Sequence, residues 1–234
     1  MPIHWFDILP STQDLIHKLA GDGAAAGTAV AARVQTEGRG SRGRVWESPP
    51  GGLWLSVLCR PPRDAGVEVL SLRAALAVAR AVEGCTPGVH LGIKWPNDLI
   101  LGTRKAGGIL CEARWQGNEL GWIAIGVGLN LSNQLSPGIA GVAATLQTVA
   151  RDLTPDTIAE SVALAVAAAG GQQGVLSPAE LDAFGERDVL RGRRLLAPVP
   201  GIAVGVAADG ALLVAGAGGQ ITPMRSGSVV LDPE

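Results

Sequence analysis

Tyrosine is absent from the chain, only two phenylalanines occur, and aromatic residues fill 3% of its 234 positions. The core must therefore be built mainly from Leu, Val, Ile and Ala, with the six tryptophans as its principal rings. Charge is also scarce, at 17%, and 19 basic against 21 acidic groups leave a net charge of −2. Such a balance gives no general attraction to nucleic acid. An apolar fraction of 47% excludes a disordered chain. Cys59, Cys85 and Cys111 lie far apart with no CxxC pair, which argues against a disulfide scaffold or a zinc knuckle and fits a reducing compartment. His4, His17 and His90 show no ligand spacing with acidic residues or Cys, so no protein-held metal is expected. The N-terminal residues carry no basic and apolar signal regions. The longest apolar stretch, 158–169, is broken by Glu160 and Ser161 and is too short to span a bilayer. A cytoplasmic protein without a nucleic-acid or membrane partner is expected.

What is present reads as an α/β body followed by a small β unit. Ser11-Thr12-Gln13-Asp14 ahead of spaced apolar residues predicts a capped helix ended by Gly21 and Gly23. Helices are also predicted over 71–82, 157–169 and 178–184. Strands are predicted over 28–34, 53–58 (closed by Pro61-Pro62), 91–95, 99–101, 108–115 and 122–131. Hairpins alternating with separated helices favour a mixed, mainly antiparallel sheet over a doubly wound parallel one. Composition changes after Arg187. Five short strands over 194–199, 203–207, 212–215, 221–224 and 229–231, with an Asp209-Gly210 turn, predict a small β-barrel. The expected division is 1–187 and 188–234.

Four segments stand out. Gly38-Arg39-Gly40-Ser41-Arg42-Gly43-Arg44 satisfies GxGxxG, but Pro49-Pro50-Gly51-Gly52 leaves no room for the helix that a dinucleotide fold requires, and no Gly-Lys-Ser/Thr follows as in a Walker loop. A Gly-rich backbone carrying three guanidiniums suits an anion; the alternative is a solvated basic turn. Lys94-Trp95-Pro96-Asn97-Asp98 joins a cation, a ring, an amide and a carboxylate, or is a turn beside a core Trp. Lys105 stands before Ala106 and the Gly107-Gly108 pair, where a ligand can come close or where a surface Lys flanks a hairpin. Gly126 and Gly128 interrupt a buried strand that ends at Asn130, a mark of close approach or of a bulge. No nucleophile elbow or Ser/His/Asp motif is legible. The inventory points to substrate activation by positioned cations.

Taken together and in this order, the four segments, Ser11-Thr12-Gln13 and the C-terminal β unit resemble the biotin protein ligase family, biotin–[acetyl-CoA-carboxylase] ligases. The resemblance covers essentially the whole chain. It implies a class II synthetase-like biotin/lipoate ligase catalytic fold with a C-terminal SH3-like barrel. It also implies two steps: biotin and ATP give biotinyl-5'-AMP and pyrophosphate, then a lysine of biotin carboxyl carrier protein takes the biotinyl group. Mg²⁺ and a closed site serve the first step.

Carried over residue by residue, the resemblance places Ser11, Thr12, Gln13 and Gln35 at the ureido end of biotin. Gly38, Arg39, Gly40, Ser41, Arg42, Gly43 and Arg44 form a loop that wraps biotin and the adenylate and orders on binding. Trp46 flanks the nucleotide. Lys105 contacts the biotin carboxyl and the α-phosphate, with Arg39, Arg42 and Asp98 as further catalytic candidates. Asp98 is placed near the reactive centre, to orient Lys94, the metal-bound phosphates or the incoming lysine; Lys94 and Asn97 are further binding candidates, Asn130 belongs to the adenine and metal side, and Gly107, Gly108, Gly126 and Gly128 let the backbone approach the ligand. Ser41 departs from the Arg common at its position, which is expected to weaken retention of biotinyl-AMP. Because Ser-Thr-Gln begins at residue 11, the resemblance is to the monofunctional class, without the winged helix-turn-helix of bifunctional members. Family members occur as monomers or as homodimers that pair sheet edges. The rivals of the same fold are a lipoate or octanoate ligase or transferase; a non-catalytic biotin or nucleotide sensor is a further alternative.

Overall fold

The computed structural model describes residues 1–61 and 66–232; Pro62, read as part of a strand-closing pair, lies outside them. A seven-stranded sheet runs in the order β1 (Ile3–Leu9), β2 (Ala29–Gln35), β3 (Leu53–Cys59), β7 (Glu119–Leu129), β6 (Arg104–Gln116), β5 (Asp98–Leu101), β4 (Gly92–Lys94). Only β1 and β2 pair in parallel, so the sheet is mixed and mainly antiparallel as expected. β1 was not anticipated: its apolar residues alternate poorly, and Phe6 and Ile8 are exposed on this edge strand. At the Gly117-Asn118 turn β6 gains Gln116 and β7 gains residues 119–121, paired but poorly buried positions without an apolar signature, and β6 also starts four residues earlier, at Arg104, where it pairs with β5.

The two faces of the sheet are covered unequally. α2 (Leu70–Cys85) and α3 (Pro155–Gly170) pack together against one face, where Leu55, Val57, Ile123 and Ile125 are buried. Ala74, Ala75, Ala79, Ala159 and Ala163 are buried there too, and small side chains let the two helices approach. The surplus of alanine thus has a packing role. α1 (Thr12–Gly21) alone covers the other face, burying Ile16 and Ala20 on Val30, Leu58 and Ala124. The rest of that face is left for the site.

Residues 188–232 add β8 (Arg194–Ala197), β9 (Gly201–Val206), β10 (Leu212–Ala215), β11 (Ile221–Met224) and β12 (Val230–Leu231). They form an antiparallel sheet ordered β11-β10-β9-β8-β12. β11 and β12 remain its two edges, so this is an open five-stranded sheet and not the closed barrel expected. Four-residue and two-residue strands carry too little ladder to close a ring. Its inner residues Leu195, Ala203, Leu212 and Val214 belong to the same core as α2 and α3. Trp95 Nε1 donates to the Gly210 carbonyl at 2.9 Å, so this ring joins the two sheets as a core residue.

α4 (Pro178–Gly185) is fixed by Ser177, whose hydroxyl caps it, and by Glu180, which accepts from Arg73 Nε at 2.6 Å. Arg73 is 3% exposed and also donates to the Val175 carbonyl. Burial works to raise the Glu180 carboxyl, yet the hydrogen bonds from Arg73 and Ser177 hold it below the usual range. Arg73→Ala leaves those acceptors buried without a donor and should cost about 3 kcal/mol, read from the urea midpoint; an unchanged midpoint would show that the pair does not hold α4.

Candidate functional site

The register of the central strands lays out the site. Gly108 lies opposite Gly128, which lies opposite Trp54; Leu110 lies opposite Gly126, which lies opposite Ser56. Directly opposed residues share a face, so on the face not covered by α2 and α3 each of two adjacent rows has a glycine on the central strand β7. A Cβ on Gly126 would come within 3.2 Å of Gln13 Cδ, and one on Gly128 within 2.7 Å of the Trp46 ring. These glycines were expected to admit ligand to the backbone. Gly126 and Gly128 line the cavity, and they also leave room for Gln13 and Trp46 beside it.

Together these residues wall a cavity of about 270 Å³. Of the residues expected at the site, Ser11, Thr12, Gln13, Gln35, Arg39, Gly40, Ser41, Arg44, Trp46, Asn97, Lys105, Gly108, Gly126, Gly128 and Asn130 line it. Gly38, Gly43 and Gly107 do not. Gly38 sits under the loop, where a Cβ would strike the Trp46 carbonyl, Gly43 turns the loop with φ +72°, and Gly107 is packed against Leu129. Arg42, Lys94 and Asp98 line a second cavity of about 330 Å³ that shares Ser41, Arg44 and Asn97 with the first.

Several polar side chains line the main cavity. Ser11 stands at the helix N-cap position, but its hydroxyl makes no cap bond. Ser11 Oγ, Gln13 Oε1 and Trp46 Nε1 are buried with no protein partner. Leaving such groups unsatisfied is costly, and all three residues line this one cavity. Their neighbours are, by contrast, satisfied within the protein. Gln35 Oε1 accepts from the Thr12 amide at 2.8 Å and its Nε2 donates to Ser48 Oγ at 2.8 Å; Thr12 Oγ1 lies 2.8 Å from Ser56 Oγ. Thr12 and Gln35 thus brace the wall.

Lys105 brings positive charge to the same cavity. Lys105 Nζ is 2.5 Å from Asp98 Oδ1 and 5.0 Å from the Trp46 ring centroid. The ion pair crosses the wall between the cavities. Lys105 is fixed at its backbone by segment 139–144: its N–H donates to the Val142 carbonyl, and its carbonyl accepts from Ala144. Ile139, Val142 and Ala143 form a wall there that no motif announces. Asn97 Nδ2 donates to the Ile109 carbonyl at 2.6 Å, tying β5 to β6, and buried Asn130 accepts from Asn133. Lys94 and Asp98 are cross-strand partners in the β4–β5 hairpin, but Lys94 Nζ reaches the Val229 carbonyl at 3.5 Å. Cys111 lines the second cavity, and burial pushes its thiol up to about 12, where it is no nucleophile.

The Arg loop is an ordered hairpin. Gly40 N–H donates to the Arg44 carbonyl and Trp46 N–H to that of Gly38, around a 3-10 turn in which Arg42 takes φ +62°. Its three guanidiniums have different partners. Arg39 donates to Asp14 at 2.6 Å and to Glu112 at 3.4 Å, Arg42 to Ser228 Oγ, and Arg44 to Ser41. The expected phosphate role of Arg39 therefore meets two carboxylates that already hold it. Asp14, His17 and Glu112 were not singled out in the sequence. Glu112 could have been, as a carboxylate two and four residues beyond Leu110 and Gly108 on the same face of β6.

Residues 5–130, which carry nearly all of these groups, match the biotin/lipoate A/B protein ligase family. The chain belongs to that family. Its curated relatives include the bifunctional ligase/repressor BirA of Bacillus subtilis, 40% identical over 133 residues, which are 56% of this chain and 40% of that protein. The biotin–[acetyl-CoA-carboxylase] ligase of Paracoccus denitrificans is 40% identical over 118 residues, half of this chain and 49% of that one. The match thus spans less than half the length of either relative. Among solved structures of the family, the biotin protein ligase of Aquifex aeolicus in complex with biotin and ATP aligns over 99% of both chains with a TM-score of 0.80 and 25% identity. That of Leishmania major with biotinyl-5-AMP aligns with a TM-score of 0.65 and 26% identity, covering 96% of this chain and 99% of that one. Among the described residues of this family member, no helix is long and apolar enough to cross a membrane.

The seat of Trp46 on Gly128 is directly testable. Gly128→Ala places a methyl group inside the ring's contact distance and should displace Trp46 from its edge contact with Trp54. Near-ultraviolet circular dichroism in the tryptophan bands should weaken, at a stability cost of about 1–2 kcal/mol; an unaltered spectrum would mean that the ring is not seated there.

Proposed function

We propose that the chain is an ATP-dependent biotin protein ligase that makes biotinyl-5'-AMP and transfers biotin to a lysine of a biotin carboxyl carrier protein. The observation that carries this reading is one cavity lined by Ser11 and Gln13, whose Oγ and Oε1 have no protein partner, and by Lys105, with the Trp46 ring 5.0 Å from its ammonium. Biotin has the complementary layout: a ureido carbonyl to accept from a hydroxyl, ureido N–H groups to donate to an amide oxygen, and a carboxylate on an apolar tail. Lipoate and octanoate carry a carboxylate but no ring N–H or carbonyl, and would leave Ser11 Oγ and Gln13 Oε1 unpaired. The names of the relatives point the same way.

In the first step a biotin carboxylate oxygen bonds to the α-phosphorus of ATP and the bond to pyrophosphate breaks. Lys105 would offset the negative charge that gathers between the two anions, a role suited to a cation in a largely enclosed site. Asp98 holds the ammonium in position until substrate competes for it. Mg²⁺ would enter with ATP and screen its phosphates; among the described residues no three His, Cys, Asp or Glu side chains gather to hold it independently. In the second step the carrier amine attacks the acyl carbonyl, AMP leaves and the amine loses a proton. The loop and Trp46 shield the mixed anhydride from water meanwhile.

The division into a catalytic unit, 1–187, and a C-terminal unit of SH3-like type, 188–234, is part of this reading; the short antiparallel strands support it. A homodimer formed by pairing sheet edges would use β1, since Ile93 on the outer edge of β4 is already bonded to Arg187 and Val189. Lys105→Ala should retain the wild-type circular dichroism and lose ATP-dependent labelling of a purified carrier domain by about 100-fold or more. Equal labelling would remove Lys105 from the reaction.

A further inference from the structure

Glu112 lies on β6 outside every motif of the sequence, yet three side chains of the site converge on its Oε2. Gln13 Nε2 donates to it at 3.2 Å, His17 Nε2 at 3.1 Å and Arg39 Nη2 at 3.4 Å. Each contact has a definite sense. Gln13 Nε2 also faces the carbonyls of Leu110 and Ala124, so three acceptors surround this nitrogen and only the NH₂ end of the amide fits there. Gln13 Oε1 is thereby turned away from Glu112 and left without a protein partner. Trp122 Nε1 can only donate, and it does so to His17 Nδ1 at 3.0 Å. His17 is thus held as the tautomer protonated at Nε2, which donates to Glu112.

We infer that Glu112 is a positioning residue that couples recognition of the ligand's N–H groups to closure of the Arg loop. Through Gln13 it presents an acceptor to the cavity; through Arg39 it ties the loop down beside that acceptor, with Asp14 as the second tie at 2.6 Å. The carboxylate suits both tasks because it is ionised: the His17 hydrogen bond, with Arg39 nearby, holds it below the usual carboxylate range against the effect of burial. Arg39 is thereby a latch on the loop more than a phosphate ligand. The Gln13 half of the inference rests on the biotin reading of the cavity, while the Arg39 half does not.

Two variants separate the halves. Glu112→Gln keeps an oxygen to accept from Gln13 and His17 but removes the charge that attracts Arg39. Glu112→Leu removes both. The measurements are the KM for biotin and kcat in biotin-dependent ATP–pyrophosphate exchange, and the rate at which trypsin nicks the native chain within residues 39–44. Glu112→Gln should speed nicking severalfold and leave the KM for biotin within about threefold of wild type. Glu112→Leu should speed nicking as much and raise the KM for biotin about tenfold or more, the loss expected when a charge-assisted hydrogen bond no longer orients the acceptor. Its KM should change more than its kcat. If both variants melt earlier but keep the wild-type KM and nicking rate, Glu112 is merely structural and the inference is overturned. If the wild-type chain shows no biotin-dependent exchange, the biotin reading and the Gln13 half fall together, and nicking still decides the Arg39 half.

Discussion

Neither Gly126 nor Gly128 can carry a side chain without moving the group that rests on it, and the site depends on this constraint. The pairing of β3, β7 and β6 sets these glycines in adjacent rows on the face that α1 covers only in part. Gln13 descends on one row from the start of α1, and Trp46 on the other from the end of the Arg loop. A Cβ at either place would lift its occupant and misplace an unpaired polar atom that faces the cavity. Glycine in a strand interior weakens the strand, and the cost falls where the sheet has long partners on both sides to absorb it.

Charge is distributed over the site with similar economy. The loop guanidiniums do not form one anion trap. Arg39 is anchored to Asp14 and Glu112, Arg42 reaches Ser228 of the C-terminal sheet, and Arg44 folds back on Ser41. Lys105, paired with Asp98 across the wall between the two cavities, is the cation best placed to serve the main one. A paired cation can exchange its carboxylate for an incoming anion with less desolvation than a fully hydrated one. In the proposed reaction, loop closure, ureido recognition and carboxylate activation use separate side chains, with the first two meeting at Glu112.

The motifs legible in the sequence were those whose chemistry is local. Gly-rich runs, the Lys105 segment and Ser11-Thr12-Gln13 announced themselves by residue type, and the structure brings most of them to one cavity. Long amphipathic elements such as α2 were readable because burial imposes a period; β1 was not, because an edge strand with exposed Phe6 and Ile8 has none. Partner choice was not readable. Nothing in the spacing of Arg39 says that it will meet carboxylates 25 and 73 residues away, or that Lys94 will turn to Val229. The open C-terminal sheet escaped for a related reason, since closure depends on ladder length and not on composition.

The central claim is that the unpartnered Ser11 Oγ and Gln13 Oε1 select a ureido ring over an apolar one. Calorimetric titration of biotin and of lipoate into the same wild-type chain tests it most directly. Saturable heat with biotin and none with lipoate at the same concentrations is the result predicted. Equal binding of the two acids, or binding of lipoate alone, would contradict it.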